Sequence, residues 1–273
     1  MSTLPTNTDW LQSFEPWPAA DIHVEWGLAG SKLAAARGDL VVLVDVLSFS
    51  TSLSIACGRG ATVLVYSPNE LDAMGGREKA ARDLKAEVIT KSRQAEAGSY
   101  SLSPASVTDC PADLRLIVTS PNGAACVAAA AKASACVIGC LRNRTATAAY
   151  IKEQLRDDAN QRRRATIVPC GEQWSSVGEE IGWRPCVEDW LGAGSIVDAL
   201  QEEHVSLSVE AELAMRTFQS MSGQVGEFLR NCLSGRELVA RSFATDVELA
   251  AEIDAEAGPV VAVESHEREF RGR

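Results

Sequence analysis

Oxygen-rich side chains recur at the ends of apolar runs in this 273-residue sequence. Asp45 closes the run Leu40-Val-Val-Leu-Val and is followed by Ser48, Ser50, Thr51 and Ser52. Asn122-Gly123 follows a second run, Arg142, Asn143 and Arg144 a third, and Cys170-Gly171-Glu172 a fourth. Adjacent acids stand at Glu188-Asp189, with Gly192 and Gly194 just behind them. Carboxylate oxygens suit a hard cation such as Mg²⁺. Hydroxyls, Asn and Gly where a helix begins leave backbone N–H groups that attract phosphate. Together such residues could hold a phosphate ester beside a metal ion. Each also has an ordinary use: Asp45 and Asn122-Gly123 as turn or cap residues, Glu188 and Asp189 as partners of a helix dipole.

A sheet edge is what would bring them together. The apolar runs at 40–45, 61–66, 87–90, 114–119, 135–139, 165–169 and 259–263 read as strands, the first of them buried on both faces. Helical patterns cover 69–85, 123–133, 143–156, 185–200, 205–229, 234–241 and 245–256. Alternation of this kind builds βαβ units, so the expected fold class is α/β, a three-layer α/β/α arrangement with a mainly parallel sheet. The stretch 185–256 adds an extra helical C-terminal region, as a cap or a dimerisation face. The expected organisation is an irregular N-terminal arm over 1–20 and a single α/β/α domain over 21–273. Ligands of open α/β sheets bind beyond the carboxyl ends of the strands. The acids and hydroxyls that follow the strands fall there.

The formal net charge of −11 excludes nucleic acid and anionic membrane as natural partners. It also repels a phosphorylated substrate, so positive potential must be made locally by a metal, Arg, Lys or helix N-termini. The eight cysteines contain no Cys-x-x-Cys pair and there are only three histidines, which leaves no zinc site. The thiols read as small buried hydrophobes of a reduced, cytoplasmic protein. Residues 1–20 have neither the basic start nor the apolar stretch of a signal peptide. Cys136 and Arg142 have the spacing of a cysteine phosphatase, but the Val-Ile-Gly-Cys-Leu between them is not the open, glycine-rich loop that would turn amides toward phosphate. An aspartyl phosphatase of the haloacid dehalogenase type needs a second acid two residues beyond Asp45, where Leu47 stands. Arg162-Arg163-Arg164 reads as a solvated loop, His23, His204 and His266 as packing or surface residues, and Trp174 and Trp190 as core or as a wall beside the acids.

Six segments, in order and spacing, resemble the 2-phosphosulfolactate phosphatase family: Val-Asp45-Val-Leu-Ser-Phe-Ser-Thr-Ser, Ser120-Pro-Asn-Gly123, Gly139-Cys-Leu-Arg-Asn143, Val168-Pro-Cys-Gly-Glu172-Gln-Trp174, Glu188-Asp189-Trp-Leu-Gly-Ala-Gly194 and Ser234-Gly-Arg236-Glu237-Leu. The resemblance spans about residues 24–262. It implies Mg²⁺-dependent hydrolysis of a phosphate monoester on a sulfonated hydroxy acid, a step of coenzyme M biosynthesis, by a homodimer. It further implies Asp45, Glu172 and Arg236 as catalytic residues and Asp45, Glu188 and Asp189 as metal ligands. Ser48, Ser50, Thr51, Asn122, Gly123, Arg142 and Asn143 fall where substrate would be contacted. The sequence departs from the family where Ser48 and Ala125 stand at positions that many members fill with Arg. A site without those cations takes a less anionic substrate or uses Arg142 and Arg144 instead. The reading of another class is a non-catalytic metal- or anion-binding protein that kept the fold.

Overall fold

The computed structural model describes residues 20–90, 93, 99–156, 163–173, 182–200, 205–263 and 266–273. The expected N-terminal arm lies outside the described residues apart from Ala20, as do Arg162, Trp174 and His204. The strands are β1 (Ile22–Val24), β2 (Leu40–Val44), β3 (Thr62–Val65), β4 (Glu87–Val88), β5 (Arg115–Val118), β6 (Ala135–Gly139), β7 (Ala165–Pro169), β8 (Glu172–Gln173), β9 (Trp183–Arg184), β10 (Val260–Val263) and β11 (His266–Gly272). Nine form one sheet in the order β1-β7-β2-β6-β10-β11-β3-β5-β4, and β8 pairs with β9 apart from it. The helices are α1 (Gly27–Ala36), α2 (Phe49–Gly58), α3 (Pro68–Ala73), α4 (Arg77–Leu84), α5 (Gly123–Ala129), α6 (Arg144–Arg156), α7 (Val187–Ala199), α8 (Val209–Met221), α9 (Val225–Asn231), α10 (Leu233–Ala240) and α11 (Ala244–Ala251).

Strand β2 shows why its run is wholly apolar. Val41 and Leu43 pack with Ala34 of α1, Leu53 of α2 and Val127 of α5. Leu40, Val42 and Val44 pack with Ile151 of α6, Leu191 and Ile196 of α7 and Phe218 of α8. Side chains alternate across a strand, so both faces of the sheet carry helices. Parallel pairing of β2 with β6 and β7 sets Val44 beside Gly139 and Pro169. The three segments that leave these strands therefore emerge together at one edge.

The sheet is α/β as expected, but its middle differs from a purely parallel one. The antiparallel pair β10–β11 runs between β6 and β3 and joins two parallel halves. Strand β11 escaped the sequence reading because Glu-Arg-Glu-Phe-Arg looks like a charged tail. Phe270 is fully buried there, and Glu269 is paired with Arg115 and Arg271. The single helix predicted over 69–85 is two, α3 and α4. It breaks at Gly75 and Gly76, whose φ values of 94° and 95° favour glycine. Helix α3 begins on a Ser67–Glu70 capping box. The helix predicted over 205–229 also divides, at a 3₁₀ turn over Ser222–Gln224.

Gly192 and Gly194 serve packing rather than a crowded metal site. A Cβ on Gly192 would lie 2.7 Å from Val46 Cγ2, and one on Gly194 only 2.1 Å from the Ala214 carbonyl oxygen. Helix α7 can therefore lie against β2 and α8 only with glycine at these positions. Gly194→Ala should destabilise the fold by about 3 kcal/mol. Thermal unfolding would register that as a fall of roughly 9 °C.

Candidate active site

Asp45 stands at the tip of β2 and is buried. Its Oδ1 accepts from the Phe49 amide at 3.3 Å, while Ser50 Oγ accepts from the Asp45 amide at 2.9 Å and donates to the Leu43 carbonyl. Thr51 Oγ1 donates to the Val46 carbonyl at 2.8 Å. Ser50 and Thr51 thus fold the strand into α2 and are spent in doing so. The Ser50 and Ser52 amides donate to the Asp45 and Ser48 carbonyls. Two of the amides expected to face phosphate at this N-terminus, those of Ser50 and Ser52, are thus used by the chain itself.

The same holds at Asn122-Gly123, where Ser120 Oγ accepts from both amides, at 3.3 and 3.1 Å. Gly123 is required by the Phe49 ring, 2.4 Å from where a Cβ would be. Asn122 has a different use from direct amide contact. Its Nδ2 donates to Glu172 Oε1 at 2.7 Å and its Oδ1 accepts from the Gln173 amide at 3.1 Å, which fixes β8 and aims Glu172.

Glu188 and Asp189 enter from the first turn of α7, both buried. Asp189 Oδ1 accepts from the Val46 amide at 2.8 Å and its Oδ2 from the Gly171 amide at 2.9 Å. It clamps the segment after β2 to the segment after β7, and each of its oxygens already holds one backbone amide. Glu188 is the opposite case: its Oε2 is buried without any hydrogen-bond partner. Burial pushes Asp45 up to about 7; Glu172 and Glu188 add to the rise, and the Phe49 amide and Arg93 oppose it. Burial, Asp45 and Glu188 likewise raise Asp189. Mutual repulsion of this kind, with one oxygen left unpaired, is what a bound cation would relieve.

Among the described residues no three His, Cys, Asp or Glu converge closely enough to form a metal cage. That suits Mg²⁺, which is commonly held by one or two carboxylates, with water and substrate phosphate completing its shell. The residues fit the ion through Asp45 and the orphaned oxygen of Glu188.

Glu172 opens onto a cavity of about 1020 Å³ whose rim carries Arg184, Arg230 and Arg236. Glu172 and Arg184 are direct partners across β8 and β9. Arg230 is paired with Glu248, and Arg184 Nη2 donates to Ser234 Oγ at 2.9 Å.

The family model for 2-phosphosulpholactate phosphatase matches residues 30–263. The chain belongs to this family. Its members are phosphoric monoester hydrolases, and the acids and the arginine-rimmed cavity lie within the matched region. No curated protein matches the sequence.

Within this phosphatase, two of the expected substrate contacts hold other partners. Arg142 Nε and Nη2 bind Glu256, and Nη1 binds Glu252 and the Leu249 carbonyl, so the guanidinium is saturated. Asn143 is fully buried; its Oδ1 accepts from the Cys140 amide and its Nδ2 donates to the Ile138 carbonyl. Both hold the turn after β6. Arg144 is likewise paired, with Asp198 and Asp254. The cations that do approach the acids are Arg184, Arg236 and Arg93, whose Nη1 donates to Ser48 Oγ at 3.0 Å. Sequence reading missed both: Arg93 follows β4, a strand end that carries no motif, and Arg184 lies in β9, outside the main sheet.

Cysteine chemistry has no footing in this family member. Burial raises the Cys136 thiol to about 12, and its spacing partner Arg142 is tied to acids. Trp190 is packing: its ring stacks on Trp26 at 5.3 Å and its Nε1 donates to Thr217. Trp183, not singled out in sequence, packs on the segment that leads from β7 to Glu172. It donates to the Cys170 carbonyl and covers Gly171, whose φ of 68° and ring contact exclude a side chain.

Proposed function

We propose that this phosphatase hydrolyses the monoester of a small phosphorylated hydroxy acid with Mg²⁺, 2-phosphosulfolactate being the substrate its family suggests. The observation that carries the reading is the buried pair Asp45 and Glu188 at the carboxyl edge of the sheet, with Glu188 Oε2 unpartnered. Asp45 and Glu188 would hold the ion. Mg²⁺ bound there would supply Lewis-acid polarisation of a non-bridging phosphate oxygen.

The remaining work belongs to the chain. Glu172, half-buried and aimed by Asn122, orients the attacking water and accepts its proton. Arg236, on the rim of the same cavity, takes the acidic substituent of the substrate, with Arg184 beside it. Asp189 keeps the Asp45 and Glu172 segments in register through the Val46 and Gly171 amides. A substrate with a carboxylate in place of the sulfonate fits the same cations. The reading also carries a cytoplasmic setting, supported by eight free, buried thiols. Among the described residues no helix is long and apolar enough to cross a membrane.

The test is phosphate release from 2-phosphosulfolactate, phospholactate and phosphoglycolate, with Mg²⁺ and with chelator. Release that requires Mg²⁺ is expected. Release unaffected by chelator would remove the ion from the account, and no release from any ester would remove hydrolysis.

A further inference from the structure

Arg93 reaches the candidate site from a segment that no motif marks. Its side chain is only 17% exposed. Its Nη1 donates to Ser48 Oγ at 3.0 Å and to Asp246 Oδ2 at 3.3 Å. Asp246, on α11, is itself held through Oδ1 by the Ser103 hydroxyl and the Ala105 amide. The Phe243 ring lies 5.9 Å from the guanidinium carbon, and the Arg93 carbonyl accepts from Ser101 Oγ at 3.1 Å. Contacts from three separate parts of the chain therefore fix Arg93, and two of them, at Ser48 and at Phe243 and Asp246, hold its guanidinium beside the segment that carries Asp45.

A purely structural ion pair accounts for part of this arrangement. It uses Nη1 alone. Among the described residues neither Nε nor Nη2 makes a hydrogen bond, although these two N–H groups form the parallel fork that matches two oxygens of a phosphate. Arg93 is also close enough to Asp45 for its charge to favour the carboxylate. Arg142 and Arg144, the cations expected to serve an anion here, are each paired with two acids. Arg93 is paired with one.

We propose that Arg93 is a phosphate-binding residue of this site, offering its Nε–Nη2 edge to the oxygens of a phosphoryl group held at Asp45. The proposal rests on the hydrolase reading for the place of the phosphate. It divides the substrate between two cationic ends: Arg93 for the phosphoryl group, and Arg236 on the cavity rim for the acidic substituent.

The experiment is calorimetric titration of inorganic phosphate, with Mg²⁺ present, into the full-length protein and its Arg93→Gln, Arg93→Lys and Asp246→Asn variants. Phosphate binding needs no turnover. Arg93→Gln should weaken it about 10- to 100-fold, the loss expected for a bidentate charged contact. Arg93→Lys, which keeps the charge and loses the fork, should fall between. Asp246→Asn breaks the ion pair but leaves the guanidinium and an amide oxygen to hold it, so binding should change only a few-fold. If Arg93→Gln binds phosphate as tightly as the wild type, the proposal is wrong. Equal losses in Arg93→Gln and Asp246→Asn, both with lowered melting temperatures, would make Arg93 a structural tie. A wild-type protein that binds no phosphate would also overturn it. Phosphate binding that depends on Arg93 in a protein that turns over no ester would sink the hydrolase reading and leave this one standing. Turnover with the same KM in wild type and Arg93→Gln would do the reverse.

Discussion

Asp45→Asn should abolish phosphate release while making the metal-free protein more stable above neutral pH. The two effects come from one carboxylate. In the folded, metal-free chain Asp45 titrates at about 7, because burial and the charges of Glu172 and Glu188 disfavour its ionised form. In the unfolded chain an aspartate titrates near 3.9. A raised carboxyl opposes folding once it must ionise. Metal-free stability should therefore fall as pH rises from about 4 to about 7, and the loss, a few kcal/mol, is complete above that window. The asparagine has no such titration, so the two unfolding curves should coincide at pH 4 and separate by pH 8. Excess Mg²⁺ should reverse the order at pH 8, since a ligand bound only by the native wild type stabilises it by mass action. Activity should drop by about 10³-fold. Chemical denaturation at the two pH values, with and without Mg²⁺, reads the stability arm. A wild type that is the more stable at pH 8 without metal would contradict the assignment.

Asp189→Asn should lack that gain in stability, although it too removes a charge from the same cluster. Relief of repulsion is common to both variants. The difference lies in what each carboxylate holds. Asp45 accepts one long bond, from the Phe49 amide at 3.3 Å. Asp189 accepts two short ones from the buried Val46 and Gly171 amides. An asparagine offers one acceptor oxygen and must turn an NH₂ group toward the second amide, which leaves two donors facing each other. Loss of a buried charged hydrogen bond, with its partner stranded, costs about 3 kcal/mol. Asp189→Asn should be less stable than Asp45→Asn by about that amount at pH 8. Activity should fall too, as the segments after β2 and β7 lose their common anchor. If the two variants melted together, Asp189 would be no clamp and its role as a metal ligand would return.

The fold was legible in the sequence wherever burial on both faces made a strand wholly apolar. Val41 to Val44 and Ile167 to Pro169 needed no further signal. Strand β11 was hidden because most of its residues are charged, and Phe270, set against Val63, is its fully buried apolar residue. The helix break at Gly75-Gly76 was visible as two glycines, but the pattern of 69–85 on either side of them was read as continuous. At the site, residue type marked the acids but not their duties. Glu188 and Asp189 are neighbours in sequence and both buried, yet one faces two amides and the other faces none. Arg142 lay within a matching motif and proved to be the anchor for Glu252 and Glu256, while Arg93 lay in no motif and points to the acids. Such differences depend on partners more than 100 positions away, and spacing along the chain does not carry them.

On the proposed function, Asp45 and Glu188 hold the divalent cation on which hydrolysis depends. Titration of Mg²⁺ into wild type and Glu188→Gln, followed by calorimetry at about pH 8, above the value of about 7 to which Asp45 is raised, tests it directly. One Mg²⁺ should bind the wild type, and affinity should fall by at least about 10-fold in the variant, with the melting temperature of the metal-free protein unchanged or raised. Equal Mg²⁺ binding by both proteins, or none by the wild type, would contradict it.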